Sequence, residues 1–259
     1  MLSNSQSQRR VVVTGGGTGI GRAIAATFLA NGDSVILLGR RLEVLERAAS
    51  NLREQTPHAT VSWRRCDVGV AAEVEAFARW ATNAVDVPLD VLVNNAGGVE
   101  TLADDTEDTT LAGLALSAQR LFASNLLGTY LMSHALSPLL RRPGGRIINI
   151  SSIAAMRGGG DMYSAVKAGV IGLTYSLARD LAGEGITVNA IAPGLVLDTE
   201  FFGDRMTPER LARTVAQIPA GRPGRPADIA AAVRYLASAE ASYVTGEVHH
   251  VNGGWVFGR

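Results

Sequence analysis

Tyr163 and Lys167 stand four residues apart in the string Tyr163-Ser164-Ala165-Val166-Lys167. On a helix this spacing puts both side chains on one face. A phenol titrates near ~10, too high to trade its proton readily at neutral pH. A neighbouring ammonium favours the phenolate, so the pair is expected to bring the phenol down toward working pH as a general acid/base. The pairing gains weight from composition: Lys167 is the single lysine among 24 basic residues, and all the others are arginine. A planar guanidinium that stays protonated does not substitute for a compact ammonium in that role.

A second cluster lies near the N-terminus. The β-branched run Val11–Val13 leads into Thr14-Gly15-Gly16-Gly17-Thr18-Gly19-Ile20-Gly21. Glycine serves where the backbone turns with positive φ or approaches a ligand closely. The helix that follows offers unpaired N–H groups and a positive dipole end, which suit a pyrophosphate. Gly21 is followed by Arg22-Ala23, so the Lys-Ser/Thr of a P-loop is absent. After the first strand of a βαβ unit, such a loop is a dinucleotide candidate.

The elements that would carry these groups alternate. Strand-like runs are expected at Val11–Val13, Val35–Leu38, Val61–Trp63, Leu89–Val93, Arg146–Ile150, Thr187–Ile191 and Glu247–Val251. Helical periodicity is expected at Ile20–Leu29, Leu42–Leu52, Glu73–Ala84, Ala118–Leu140, Tyr163–Leu181 and Ala227–Ser238. Short apolar strands between amphipathic helices predict an α/β fold, a Rossmann-type doubly wound parallel sheet of about seven strands with helices on both faces. Residues 1–8 read as a disordered arm and 9–259 as one domain. The stretch Asp198–Pro226 has no strand signal and reads as a mobile lid or substrate loop. In such a sheet, ligands bind where strands end and helices begin.

Further strings sit at those ends. The chain resembles the short-chain dehydrogenase/reductase family through the loop Thr14–Gly21, Asn94-Asn95-Ala96-Gly97, Tyr163–Lys167 and Pro193-Gly194-Leu195-Val196-Leu197-Asp198-Thr199, in that order from about residue 10 to Gly254. Within the family, the similarity extends to 3-oxoacyl-acyl-carrier-protein reductases. The resemblance implies a nicotinamide cofactor held by Gly15, Gly17, Thr18, Gly19, Ile20, Gly21, Asn94, Ala96 and Gly97. It places Asp67 and Val68 beside the adenine, although an Asp after a strand equally serves as a helix cap. It places Pro193, Gly194, Val196 and Thr199 on the nicotinamide side, and gives Lys167 a second role on the ribose. Ser152 is the expected carbonyl-orienting hydroxyl, with Ser151 as rival, and Asn125 the expected support of a proton relay. The segment Gly98–Ala118 departs from the family pattern, being longer and more acidic.

The residue closing the second strand bears on cofactor choice. NAD-binding proteins place a carboxylate there, about 20 residues past the glycines. This chain reads Leu38-Gly39-Arg40-Arg41, which suits a 2′-phosphate and predicts NADP(H) over NAD(H), with Arg40 as the contact. The same arginines could instead form a solvated pair at a helix start.

Composition excludes other classes. The 24 basic and 24 acidic residues cancel, so the chain lacks the charge footprint of a nucleic-acid or membrane-surface binder. The single cysteine, Cys66, forms no internal disulfide and reads as a small core residue, and no metal site is expected. His249-His250 would point to opposite faces of a strand. Trp63, Trp80 and Trp255 read as core or interface anchors, and Val99, Ile153, Met162, Leu195, Phe201 and Phe202 as an apolar substrate pocket. MLSNSQSQRR lacks the apolar stretch of a signal peptide, so a cytoplasmic location is expected. Together these readings predict an NADP(H)-dependent oxidoreductase interconverting a small ketone and a secondary alcohol, in a homotetramer as the resemblance implies. The alternatives are a 3-oxoacyl-thioester reductase and a catalytically silent cofactor-binding regulator.

Overall fold

The computed structural model describes residues 8–83, 88–98, 109–201, 203 and 206–258. Most of the N-terminal arm, most of the acidic segment after Gly98, and Val99 and Phe202 lie outside the described residues. Seven parallel strands form one sheet in the order β3-β2-β1-β4-β5-β6-β7. They are β1 Arg10–Thr14, β2 Ser34–Gly39, β3 Val61–Arg65, β4 Val91–Asn94, β5 Arg146–Ile150, β6 Thr187–Pro193 and β7 Val248–Val251. The order reverses between β1 and β4, which pair through Val11–Val13 and Val91–Val93. This switch point opens a crevice at the strand C-termini.

The alternation of strand side chains builds two cores. Val11, Val13, Val91 and Val93 face one layer, with Ile24 and Phe28 of α1 (Gly19–Ala30), Leu45 of α2 (Leu42–Gln55) and Ile229 and Val233 of α9 (Pro226–Leu236). Val12, Leu92 and Ile147 face the other layer. There they meet Val74 and Phe77 of α3 (Ala71–Asn83), Met132 of α5 (Gly128–Leu136) and Leu177 of α7 (Met162–Leu181). Cys66 is buried in this second core, where burial pushes its thiol up to about 11. Such a thiol is inert as a nucleophile at neutral pH. No helix among the described residues is long and apolar enough to cross a membrane.

One expectation needs correction, and two loops carry short helices. The helix expected over Ala118–Leu140 begins earlier, as α4 Leu111–Phe122, and is not continuous. It widens into a π-turn at Ala123–Leu127 before α5 and ends in a 3-10 turn at Ser137–Leu139. The widening centres on Asn125, whose amide turns inward to donate to Leu121 O (3.1 Å) and Gly98 O (3.1 Å). Hydrophobic periodicity does not register such an insertion, and π-turns gather at functional sites. The loop Ile153–Asp161 contains the short helix α6, Ala154–Arg157. The stretch Asp198–Pro226 contains α8, Pro208–Val215, started by Thr207 Oγ accepting from Arg210 N–H (3.3 Å). Both helices are too short for a periodic signal, and both become walls of the cleft.

Candidate active site

The turn after β1 and the turn after β4 are tied together at Thr14. Its hydroxyl accepts from Asn95 N–H (2.9 Å) and Ala96 N–H (2.9 Å). Asn95 Nδ2 returns the contact, donating to Thr14 O (3.0 Å) and Gly15 O (3.2 Å). The glycine loop is therefore drawn tight against the neighbouring turn. Gly15 (φ +63°) and Gly19 (φ +48°) take the left-handed conformation, and a Cβ on Gly21 would lie 2.2 Å from Gly15 O. Thr18 enters α1 without a side-chain cap, which leaves first-turn N–H groups for a ligand. These features fit a dinucleotide pyrophosphate.

Along the sheet edge runs a cleft of about 730 Å³. Its nucleotide half is lined by Gly15, Gly17, Thr18, Gly19, Ile20, Gly21, Arg40, Asp67, Val68, Ala96 and Gly97. Arg41 also lines it and donates to Glu200 (2.7 Å), an exposed ion pair spanning the cleft rim. Asp67 turns its carboxylate back to accept from Gly69 N–H (3.0 Å), the cap-like alternative. Pro193, Gly194, Val196 and Thr199 line the opposite wall, with Thr199 Cβ 3.2 Å from where a Gly19 Cβ would be.

Ser152, Tyr163 and Lys167 close the other half. Ser151 and Ser152 part ways here. Ser151 Oγ is buried and donates to Lys167 O (2.8 Å), tying β5 to α7. Ser152 is half-buried, with its Oγ accepting from Ala154 N–H (3.1 Å). Lys167 Nζ is buried, donates to Ile150 O (3.0 Å) and lies 5.7 Å from the Tyr163 ring centroid.

The electrostatics run against one expectation. The Tyr163 phenol is not lowered; burial pushes it up to about 12, outweighing the lowering hydrogen bond from Ser152. Burial also brings the Lys167 ammonium down to about 8. A buried phenol keeps its proton until a strong base appears beside it, as an acid catalyst for an incipient alkoxide must.

Among the expected catalytic and cofactor residues, two do not line the cleft. Asn94 shares strand parity with Leu92 and points into the α5 layer, donating to Ser133 Oγ (2.9 Å) and Asn149 Oδ1 (2.8 Å). Its neighbour Asn95 holds the loop instead, a distinction that the alternation along β4 already carried. Asn125 is fully buried behind the wall, its Oδ1 accepting from Gly98 N–H (3.0 Å), so it shapes the loop beyond Gly97.

The substrate half is more polar than expected. Ile153, Leu195 and Phe201 line it and Met162 does not, while Arg157, Arg210, Thr214, Gln217 and Trp255 line it as well. Trp255 is thus a cleft residue, because left-handed Gly253 and Gly254 turn the C-terminal segment back over the opening. Arg210 and Thr214 lie four apart on one face of α8, a spacing available in the sequence, and Gln217 follows just past the helix end. The other tryptophans pack elsewhere, Trp63 against the first core and Trp80 against Phe77 at 5.6 Å between centroids. His249 packs on Tyr235, and His250 lies by Gly258.

Comparison with known proteins gives consistent matches. A family model described as Enoyl-(Acyl carrier protein) reductase matches residues 15–256. The chain is 37% identical to 2-(S)-hydroxypropyl-CoM dehydrogenase 3 of Xanthobacter autotrophicus, over 98% of each chain. It is 37% identical to the 3-oxoacyl-acyl-carrier-protein reductase FabG of Vibrio harveyi, covering 94% of this chain and 95% of that one. The crystal structure of levodione reductase superposes with a TM-score of 0.85 at 32% identity, covering 95% of this chain and 96% of that one.

The loop geometry gives a direct expectation. Gly21→Ala pushes a methyl group into Gly15 O and should weaken dinucleotide binding by roughly tenfold or more. Titration followed by nicotinamide fluorescence checks it; unaltered affinity would mean that the loop does not hold the pyrophosphate.

Proposed function

Because this chain belongs to the short-chain dehydrogenase/reductase family, and is an oxidoreductase acting on CH–OH groups, we propose that it interconverts a ketone and a secondary alcohol with NADP(H). The observation that carries this reading is the meeting of Ser152, Tyr163 and Lys167 at one end of a cleft whose other end is the glycine loop. When bound, the dinucleotide supplies or receives the hydride at the carbonyl carbon.

The chain's own groups handle the oxygen. Ser152 Oγ hydrogen-bonds the carbonyl oxygen and orients it. Tyr163 Oη gives its proton to that oxygen as negative charge develops, leaving a phenolate. The Lys167 ammonium stabilises that phenolate and would hydrogen-bond the ribose of a bound dinucleotide. Asn125 supports the set by fixing the backbone at Gly98. Solvent returns the proton to Tyr163, and the reverse sequence oxidises the alcohol. The high phenol pKa favours the reduction direction, where the neutral form is the working one.

Arg40, with no carboxylate at Gly39, supports NADP(H) over NAD(H) through a charge-assisted contact with the 2′-phosphate. Several similar proteins are named 3-oxoacyl-acyl-carrier-protein reductases, and this keeps the thioester reading as second. Against it, Arg141 and Arg142, a basic pair that could meet an acidic carrier, are already held by Asp90 and Glu184. The complete Ser-Tyr-Lys set weighs against a silent regulator. The reading includes a single domain over 9–259 and a cytoplasmic homotetramer. Exposed Phe122, Tyr130 and Tyr175 on α4, α5 and α7 support self-association.

Three outcomes are expected. Tyr163→Phe removes the proton donor and should lower kcat on an NADPH-linked ketone panel by on the order of a hundredfold or more; turnover near wild type contradicts the mechanism. Arg40→Ala should raise KM for NADPH by roughly tenfold while leaving KM for NADH nearly unchanged, since only one carries the 2′-phosphate. Lys167 is cationic below its folded pKa of about 8, so ketone reduction should be flat at lower pH and fall as pH rises through that value. A reduction rate that climbs across that range would exclude the ammonium's role.

A further inference from the structure

We infer that Arg157, stacked on Trp255, is a specificity-determining anchor for an anionic group on the substrate, so that the ketone and alcohol handled by this cleft are short oxo and hydroxy acids. The inference rests on the ketone–alcohol reading above and names the substrate class for the same site.

Three distant segments build the anchor. Arg157 ends α6, five residues after Ser152, and its guanidinium lies 4.4 Å from the Trp255 ring centroid. The tail that carries Trp255 is fixed against the end of α8. Ala220 N–H donates to Gly253 O (2.9 Å), and Cβ atoms at Gly253 and Gly254 would touch Ile218 (2.7 Å) and Pro219 (3.3 Å). This brings the Thr214 and Gln217 stripe of the α8 region to the same rim. A guanidinium lying over an indole keeps its in-plane N–H groups for an oxyanion, and the stacking has already ordered the side chain.

The charge balance favours an anion. The Arg157 guanidinium makes no hydrogen bond or ion pair with any described residue, while its backbone N–H donates to Ile153 O within the turn. Two carboxylates occur in the described lining, and both are engaged elsewhere: Glu200 with Arg41, and Asp67 with Gly69 N–H. The substrate half therefore presents a cation with its donors unspent beside a hydroxyl and an amide. Ser152 and Arg157 line the same cleft from one short segment, which suits a substrate whose oxo group and acid belong to one small molecule.

The test compares acetoacetate, levulinate and 5-oxohexanoate with their methyl esters, by NADPH oxidation in wild type, Arg157→Ala, Arg157→Lys and Trp255→Leu. In wild type, kcat/KM is expected to favour at least one acid over its ester by roughly tenfold or more, mainly through KM. In Arg157→Ala that preference should collapse toward unity, with Lys and the Trp255 variant in between. Equal reduction of acids and esters, or a preference that survives Arg157→Ala, overturns the anchor and leaves the reductase reading standing. Should no ketone of either series be reduced, the reductase reading fails on this panel and binding decides the anchor. Levulinate quenching of tryptophan fluorescence that is lost in both Arg157→Ala and Trp255→Leu supports it, and its absence in wild type overturns it.

Discussion

The site depends on keeping a primary ammonium under the sheet edge without a carboxylate partner among the described residues. Lys167 is held by the carbonyl of Ile150 at the end of β5 and by its position in a helix pinned to that strand through Ser151. A charge without an acidic partner costs free energy to bury, and the cost shows as the lowered Lys167 pKa. The same dry surroundings raise the Tyr163 phenol, so the two groups are shifted in opposite directions by one cause. Each is thereby held closer to its uncharged form, which makes the phenol a proton donor at neutral pH rather than a standing base.

A second constraint is the close approach of the β1 and β4 turns. Four hydrogen bonds cross the switch point between Thr14-Gly15 and Asn95-Ala96. The Asn95 and Ala96 N–H groups are both satisfied in that seam, which holds the glycine loop in shape. Preorganisation of this kind reduces the ordering that a bound dinucleotide would otherwise have to impose. Below it, Asn94, Ser133, Asn149 and Thr174 form a buried polar chain that joins β4, β5, α5 and α7. The chain links the layer that carries Lys167 to the strands that carry the nucleotide turns.

The two halves of the cleft differ in how they are made. The nucleotide half comes from consecutive turns at strand ends, each a short string with its own glycine or asparagine chemistry. The substrate half comes from a four-residue helix, one face of α8 and a C-terminal tail folded back by two left-handed glycines. Arg157, Thr214 and Trp255 are among its members, and no local pattern connects these three segments. A polar rim results beside the apolar lining of Ile153, Leu195 and Phe201 that was expected.

Local sequence determined the strand and helix alternation, the parallel sheet and the turns at its C-terminal edge. Those features follow from side-chain periodicity and backbone freedom, which act within a few residues. Strand parity in β4 even separates Asn94 from Asn95. Tertiary structure alone decided the rest: that Ser151 binds the helix while Ser152 faces the cleft, that Asn125 sits in a π-turn behind the wall, and that Trp255 covers Arg157. It also set the Tyr163 pKa above its ordinary value, because desolvation is a property of everything packed around a group, and a spacing of four residues encodes only the neighbour.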